Sequence, residues 1–409
     1  MTPRLPTPSP SPSAPAHRLR GGLFLLAALA WGSIVVPATE GVAQDPDIHL
    51  DRVVRDLEPE IRRAMTEGRI PSLTIALVQR DEILWSQGYG EANLYTRSPA
   101  TPSTVYMIAS TLKTMSATAL LGLWEEGRFD LDDPVRDYLG DLEIPGENPH
   151  RPITFRQLLT HTSGLPSSFS PVPVWADSVP SSMGVFLRNE MAVVSAPLEQ
   201  VRYSNMGYTL LAYLMERLTG VEFRTWVRNR IFGPVSMGST DFVPSAEMVE
   251  RMAIPYMAEG GDGPLLPAER LRFAEWPAGA AWGTVQDQAR WLGMNLNDGV
   301  YQGRRILQPE TLREAHTHQF PDFTGAMAGG WGGEGAGYGL GWWVSEREGE
   351  RYIAHSGSVR GYTAFLHGNL DRRVGVAILT NGHRAHPHLV RLSYLATDLM
   401  EEHSRTRRR

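Results

Sequence analysis

Met107-Ile108-Ala109-Ser110-Thr111-Leu112-Lys113 contains the only lysine in a chain of 409 residues; every other member of its 39 lysines and arginines is an arginine. Arginine stays protonated at any working pH, whereas a lysine ammonium loses its proton when burial and neighbouring charge disfavour it. A position that keeps an amine where the rest of the chain uses guanidinium therefore points to a removable proton. Lys113 also follows Ser110 by three residues, and positions i and i+3 of a helix share a face within hydrogen-bond reach. A hydroxyl and an adjustable amine on one turn make an activated nucleophile. The Ser-x-x-Lys spacing is common by itself, and a surviving lysine also fits a purely compositional origin.

Three further constellations bear on that choice. Tyr203-Ser204-Asn205 stands just before a helical pattern beginning near Tyr208. A phenol beside a lysine ammonium is expected to titrate lower, because the positive charge favours phenolate, and it can then accept or return a proton. Asn205 offers an amide that both donates and accepts. His355-Ser356-Gly357-Ser358 comes at the end of a predicted strand, where the glycine lets a substrate lie close to the backbone. His161-Thr162-Ser163-Gly164-Leu165 follows a helix-like stretch, Thr154 to Leu159. Singly, each has a structural explanation: a helix cap with a core aromatic for the tyrosine box, a turn for the His-x-Gly run.

The flanking chain predicts the frame. Val53, Val54, Leu57, Ile61 and Met65 recur at helical spacing over Asp51 to Glu67, closed by Gly68. Leu73–Val78 and Glu82–Gly88 read as a hairpin around Arg80-Asp81, and Arg351–Ala354, Tyr362–Leu366 and Val374–Thr380 as three more strands separated by turn residues. A last helix is predicted over Leu389–Glu402. Helices over Tyr208–Leu218, ended by Gly220, and Val285–Leu296 fall between, joined by long Pro/Gly-rich connections. Strands at both ends and helices in the middle predict an α+β fold: an antiparallel sheet built from N- and C-terminal strands, flanked by helices, with an inserted, mainly helical region. The run Gly329-Gly330-Trp331-Gly332-Gly333 lacks the Gly-Lys-Ser/Thr ending of a phosphate loop and reads as an ordinary loop.

In joint order and spacing these motifs resemble the serine hydrolases of the β-lactamase-related superfamily, the class C type shared with penicillin-binding proteins, D-aminopeptidases and some carboxylesterases. The resemblance spans about Asp51 to Leu399. Besides the boxes above, it includes Pro277-Ala278-Gly279 to Asp287 and Tyr338-Gly339-Leu340-Gly341-Trp342. It implies an acyl-enzyme on Ser110, with Lys113 and Tyr203 as the base system and the choice between those two left open. By the same analogy Ser110 and Ser358 supply the backbone oxyanion donors, and Asn205, His355, Gly357 and Ser358 contact substrate. Glu199 is a weak candidate for an acid in deacylation. Relatives of this type typically carry lysine where His355 stands and use its charge to hold a substrate carboxylate; a neutral histidine does this poorly. Arg360 is the alternative carboxylate partner. Ester or amide hydrolysis is thus expected ahead of efficient β-lactam hydrolysis, with a D-amino-acid-specific peptidase or weak β-lactamase as the near alternative and a catalytically silent binding or scaffold protein as the distant one. Trp276, Trp282, Trp331, Trp342 and Trp343 fall in or beside predicted loops and are candidates for an apolar acyl pocket.

The resemblance implies a small-molecule ester, amide or peptide as the partner, and composition excludes other classes. A net charge of -6 gives no nucleic-acid footprint, and the absence of cysteine excludes thiol nucleophiles, disulfides and thiolate metal sites. His383, His386 and His388 lack the companions of a metal site, so neither metal nor cofactor is expected. Residues 1–43 read as a Pro/Ser-rich leader and signal peptide: Arg18 and Arg20 precede an apolar stretch from Leu23 to Val36, and Gly41 and Ala43 permit cleavage before Gln44. The expectation is an exported, periplasmic or secreted protein, in membrane contact only if that leader is uncleaved. Residues 44–403 then form the hydrolase domain, and 404–409 a basic tail.

Overall fold

Ser72-Leu73-Thr74-Ile75-Ala76-Leu77-Val78-Gln79 is buried along all but its last residue, as suits a strand covered on both faces. In the computed structural model, which describes residues 48–173, 182–260, 262–320 and 337–404, it is strand β1 (Ser72–Gln79) of a large sheet. The others are β2 (Glu82–Asn93), β3 (Ser98–Pro99), β4 (Gly337–Tyr338), β5 (Trp343–Arg347), β6 (Glu350–Val359), β7 (Tyr362–Asn369) and β8 (Val374–Thr380). Their spatial order is β4-β5-β6-β7-β8-β1-β2-β3. All neighbours are antiparallel, and the two ends of the chain meet where Leu73 pairs with Thr380 and Gln79 with Val374.

Among the helices that cover this sheet or fill the insertion are α1 (Leu50–Glu67), α2 (Leu112–Glu125), α3 (Asn205–Thr219), α4 (Val285–Leu296) and α5 (His386–Glu402). Successive side chains of a strand point to opposite faces. Leu73, Ile75 and Leu77 accordingly pack with Val53, Leu57 and Ile61 of α1 and Leu389, Leu392 and Ala396 of α5. Ala76 and Val78 join the other cluster, with Trp291 and Leu292 of α4. Burial of each large side chain contributes about 1.5–3 kcal/mol, and the two-sided cover makes β1 the spine of the molecule. The predicted α+β frame is the observed one, although the insertion is not purely helical: it also contains four two-stranded ribbons among the described residues.

Several boundaries move for identifiable reasons. Helix α3 begins at Asn205, earlier than the apolar spacing indicates, because Ser204 caps it by accepting the Gly207 N–H at 2.9 Å. Gly220, at φ +71°, closes it as expected. Gly68 ends α1, but the left-handed residue there is Arg69; Gly68 is needed because a Cβ would lie 2.7 Å from the His388 ring. His355–Ser358 does not follow a strand but lies within β6, since His355 pairs with Leu366 and Ser358 with Thr363. The reversal falls later, at Arg360-Gly361, where Gly361 has φ +88°.

Among the described residues no helix is long and apolar enough to cross a membrane. The leader, the Gly329–Gly333 run with Trp331, and residues 405–409 lie outside the described residues.

Candidate active site

The segment before Ser110 is clamped from both sides. Tyr106 and Met107 pair with Gly283 and Trp282, and Ile108 N–H continues the contact to Ala281 O at 2.9 Å. Ala109 then turns into the left-handed region at φ +49°, a conformation that costs a non-glycine residue about 1–3 kcal/mol, and a short 3-10 turn over Ala109–Thr111 leads into α2. Strand β6 presses against this turn from the sheet. A Cβ on Gly357 would lie 2.6 Å from Ile108 O and 2.7 Å from Ser110 N, so only glycine lets the strand approach Ser110 this closely.

Helix α2 is buried from Leu112 to Leu123. Thr114 and Thr118 turn their hydroxyls back to the carbonyls of Thr111 and Thr114, at 2.8 and 3.0 Å, which lets a helix with so little outward-facing surface hide its polar groups. Ser110, at its entrance, remains partly exposed, while Lys113 is 0% exposed one turn inside. Lys113 Nζ lies 3.1 Å from Ser110 Oγ, 2.9 Å from Asn205 Oδ1 and 2.7 Å from Ala278 O. Asn205 is fixed in turn, because its Nδ2 donates to Ser168 O at 2.7 Å.

Those three acceptors differ in kind. Asn205 Oδ1 and Ala278 O accept only; the Ser110 hydroxyl can also donate. An ammonium spends all three protons on them. A neutral amine has two, which go to the carbonyl oxygens and leave its lone pair facing Ser110. Burial drives Lys113 well below the ordinary lysine value, and the negative charge of Glu275 partly opposes that push.

The Tyr203 ring sits 4.8 Å from Lys113 Nζ. The sequence reading expected lysine to lower the phenol's pKa; the structure corrects it. Burial raises Tyr203, offset only in part by its hydrogen bond with the Ser110 side chain, so at neutral pH Tyr203 is a protonated phenol. With Lys113 itself driven toward the neutral amine, the cation that was to stabilise phenolate is weakened.

His355 also departs from its expected role as a substrate contact. It is 1% exposed, and both ring nitrogens are engaged, Nδ1 with Ser356 O at 2.7 Å and Nε2 with the Tyr338 hydroxyl at 3.1 Å. Tyr338 in turn meets His161 Nε2 at 3.2 Å, and His161 Nδ1 accepts the Ser204 N–H at 3.0 Å. Backbone groups at both ends fix every proton: His161 donates from Nε2 to Tyr338, Tyr338 donates to His355 Nε2, and His355 donates from Nδ1 to Ser356 O. Burial and the nearby lysine push His161 well down and His355 down to about 3, so both rings are neutral. The His161 ring also lies against Tyr203 in a tilted arrangement, with centroids 4.2 Å apart. Three motifs separated by up to 194 positions thus become one buried strut between the helix that carries Asn205 and the strand that carries Gly357 and Ser358. Ser358 is exposed.

The beta-lactamase family model matches residues 57–400. The chain belongs to the beta-lactamase family. Protein flp of Staphylococcus aureus (strain COL) is 24% identical over 332 residues, 80% of this chain and 63% of that protein. Beta-lactamase-like protein 2 of Dictyostelium discoideum is 27% identical over 283 residues, 66% of this chain and 50% of that protein. The chain therefore spans one half to just under two thirds of the length of these curated relatives. Among solved structures, the octameric penicillin-binding protein homologue from Pyrococcus abyssi is similar with a TM-score of 0.71 at 28% identity, over 86% of this chain and 79% of that one. The beta-lactamase/D-alanine carboxypeptidase from Yersinia pestis, complexed with citrate, shares the fold with a TM-score of 0.68 at 19% identity, over 86% and 99%. Membership of this family suggests serine hydrolase activity.

Other sequence candidates lie away from the family's Ser–Lys cluster. Glu199 is exposed and accepts the Ala196 N–H at 3.0 Å. Arg360 faces Glu269 at 3.7 Å. Trp282, Trp342 and Trp343 are core residues, whereas Trp276 is half-buried, beneath Arg224 and against Phe223 and Phe242. Conversely, Ala278 and Ser168 matter through backbone carbonyls, which leave no side-chain signature in a sequence. Tyr338 and Ala278 had a signal only as members of longer motifs; Glu275 had none.

Proposed function

We propose that this protein is a serine hydrolase that cleaves neutral esters or amides through an acyl-enzyme on Ser110, with Lys113 as the base. The observation that carries the reading is the lysine nitrogen held by two carbonyl oxygens that can only accept, with the Ser110 hydroxyl as its third neighbour and a burial that favours the neutral amine. The Ser110 proton passes to the Lys113 lone pair as Oγ attacks the carbonyl carbon. Negative charge on the carbonyl oxygen falls to the N–H groups of Ser110 and Ser358, where Gly357 allows the close approach. Tyr203, kept protonated by burial, gives its proton to the departing alkoxide or amine and recovers one from the Lys113 ammonium. Water then releases the acyl group by the same path in reverse.

Substrate charge follows from the neighbours. His355 is neutral and enclosed and Arg360 is beside an acid, so a substrate carboxylate finds no fixed cation in the His-Ser-Gly motif. Esters of p-nitrophenol with acetate or butyrate are expected to be hydrolysed measurably, and a chromogenic cephalosporin weakly or not at all. Efficient turnover of the cephalosporin in preference to the esters would overturn the neutral-substrate reading. The leader at residues 1–43 supports export; N-terminal sequencing should find a mature protein beginning near Gln44, and a full-length species retained by membranes would contradict cleavage.

A further inference from the structure

Of the described acidic side chains, only Glu275 and Asp287 are buried, and the two are held very differently. Asp287 is satisfied on all sides: it accepts from Ser239 N–H at 2.8 Å and Thr240 Oγ1 at 2.9 Å and pairs with Arg290. Its burial needs no further account. Glu275 has a single hydrogen bond, from Ser170 N–H to Oε2 at 3.1 Å, and its Oε1 has no partner among the described residues. A buried carboxylate so poorly paired is costly unless a cation lies within reach of its charge.

Glu275 stands at the joint between the two carbonyls that grip Lys113. On one side its Oε2 holds Ser170, two residues beyond Ser168, whose carbonyl fixes the amide of Asn205. On the other it begins the turn Trp276–Ala278, with Ala278 N–H donating to Glu275 O at 2.8 Å and Ala278 O accepting from Lys113 Nζ. Pairing of Pro171 with Phe273 ties these two stretches together. The ionisable groups facing Lys113 are the phenols of Tyr203 and Tyr208, whose rings lie 4.8 and 5.6 Å from Nζ, the neutral imidazoles of His161 and His355, and Glu275. The phenols and imidazoles are neutral at working pH, and Glu275 is the one carboxyl among these groups.

We propose that Glu275 is a positioning residue of the base system: it keeps the two carbonyl partners of Lys113 in place, and as counter-charge to the ammonium it sets the pH at which Lys113 becomes able to take the Ser110 proton. The proposal rests on Lys113 being the base. It goes beyond that reading in naming what tunes the base.

The test follows the rate at which a serine-directed fluorophosphonate modifies Ser110 as a function of pH, a readout that requires no knowledge of the natural substrate. Glu275→Gln keeps the shape and an oxygen for the Ser170 N–H but removes the charge. Without that charge the ammonium is less favoured, so the acid limb of the profile moves to lower pH, by on the order of one unit. Glu275→Asp keeps the charge and shortens the reach: its limb stays with wild type while the plateau rate falls. A merely structural role would lower the plateau in both variants and move neither limb. A Glu275→Gln limb that overlays wild type, or a displaced limb in Glu275→Asp, overturns the proposal; the Asp variant decides the matter if circular dichroism shows the Gln variant misfolded. Lys113→Arg separates the two levels of the argument. If it abolishes labelling while Glu275→Gln leaves the limb in place, the base reading stands and the role of Glu275 falls; if it keeps the wild-type profile, the base reading falls and takes the proposal with it.

Discussion

Two hydrogen-bonded clusters meet behind Ser110, and they differ in one property that decides what each can do. Around Lys113 a nitrogen with either two or three protons faces three oxygens, one of which can donate as well as accept. The proton count is therefore free to change, and Ser110 opens the cluster to solvent. Along His161, Tyr338 and His355 each proton has one place, dictated by a backbone N–H at one end and a backbone carbonyl at the other. Nothing there can move without leaving a buried polar atom unpaired. Both clusters are assembled from short polar motifs that look alike in a sequence. On the proposed mechanism, reactivity belongs to the one whose protonation is undecided, rigidity to the one where it is fixed.

The contrast breaks most easily at the lysine. Lys113→Arg retains a positive charge but cannot present a lone pair, so turnover of p-nitrophenyl butyrate is expected to fall by about 10²-fold or more, with circular dichroism matching wild type. Retained activity would mean that only charge was needed, and the first cluster would be as static as the second.

Tyr338→Phe addresses the second cluster. It orphans the donor of His161 and the acceptor of His355, each at about 1–3 kcal/mol, and urea denaturation should register that loss while labelling of Ser110 by a fluorophosphonate persists. A variant as stable as wild type but slow to label would place Tyr338 in the chemistry and erase the distinction.

Acid should open the strut before it touches the fold's apolar layers. An unfolded imidazole titrates near 6.5, whereas burial pushes His355 down to about 3. Between those values the unfolded chain binds more protons, so stability present above pH 6.5 is lost as the pH falls through this window. Thermal denaturation from pH 8 to pH 4 should show a falling midpoint, with the slope reduced in His355→Gln. A midpoint independent of pH would contradict neutral buried imidazoles. The smallest effect is expected at Glu199→Gln: an exposed acid outside both clusters should change stability by no more than about 0.5 kcal/mol and leave turnover unaltered.

Much of the frame was legible because burial imposes periodicity. The alternation of Leu73, Ile75 and Leu77 against Ala76 and Val78 reports a two-sided strand, and the spacing of Val53, Leu57 and Ile61 a one-sided helix. The pairing of Ser110 with Lys113 and Asn205 could be anticipated from helical spacing and motif order. Strand β6 was read short because Ser356-Gly357-Ser358 has the composition of a turn; only its partner β7 supplies the hydrogen bonds that keep it extended. Protonation was read least well. Tyr203 was expected to titrate low beside a cation, but burial acts on both groups and pushes them toward their neutral forms. Depth is a property of the assembled molecule, and so are the carbonyls of Ser168 and Ala278 and the placement of Glu275.

On the proposed mechanism, Ser110 is the one hydroxyl made nucleophilic by an adjacent neutral amine. Intact-mass spectrometry after incubation with a fluorophosphonate tests it directly. Wild type should gain the mass of a single adduct, mapped to Ser110, and Ser110→Ala should gain none; an adduct that persists in Ser110→Ala would contradict the assignment.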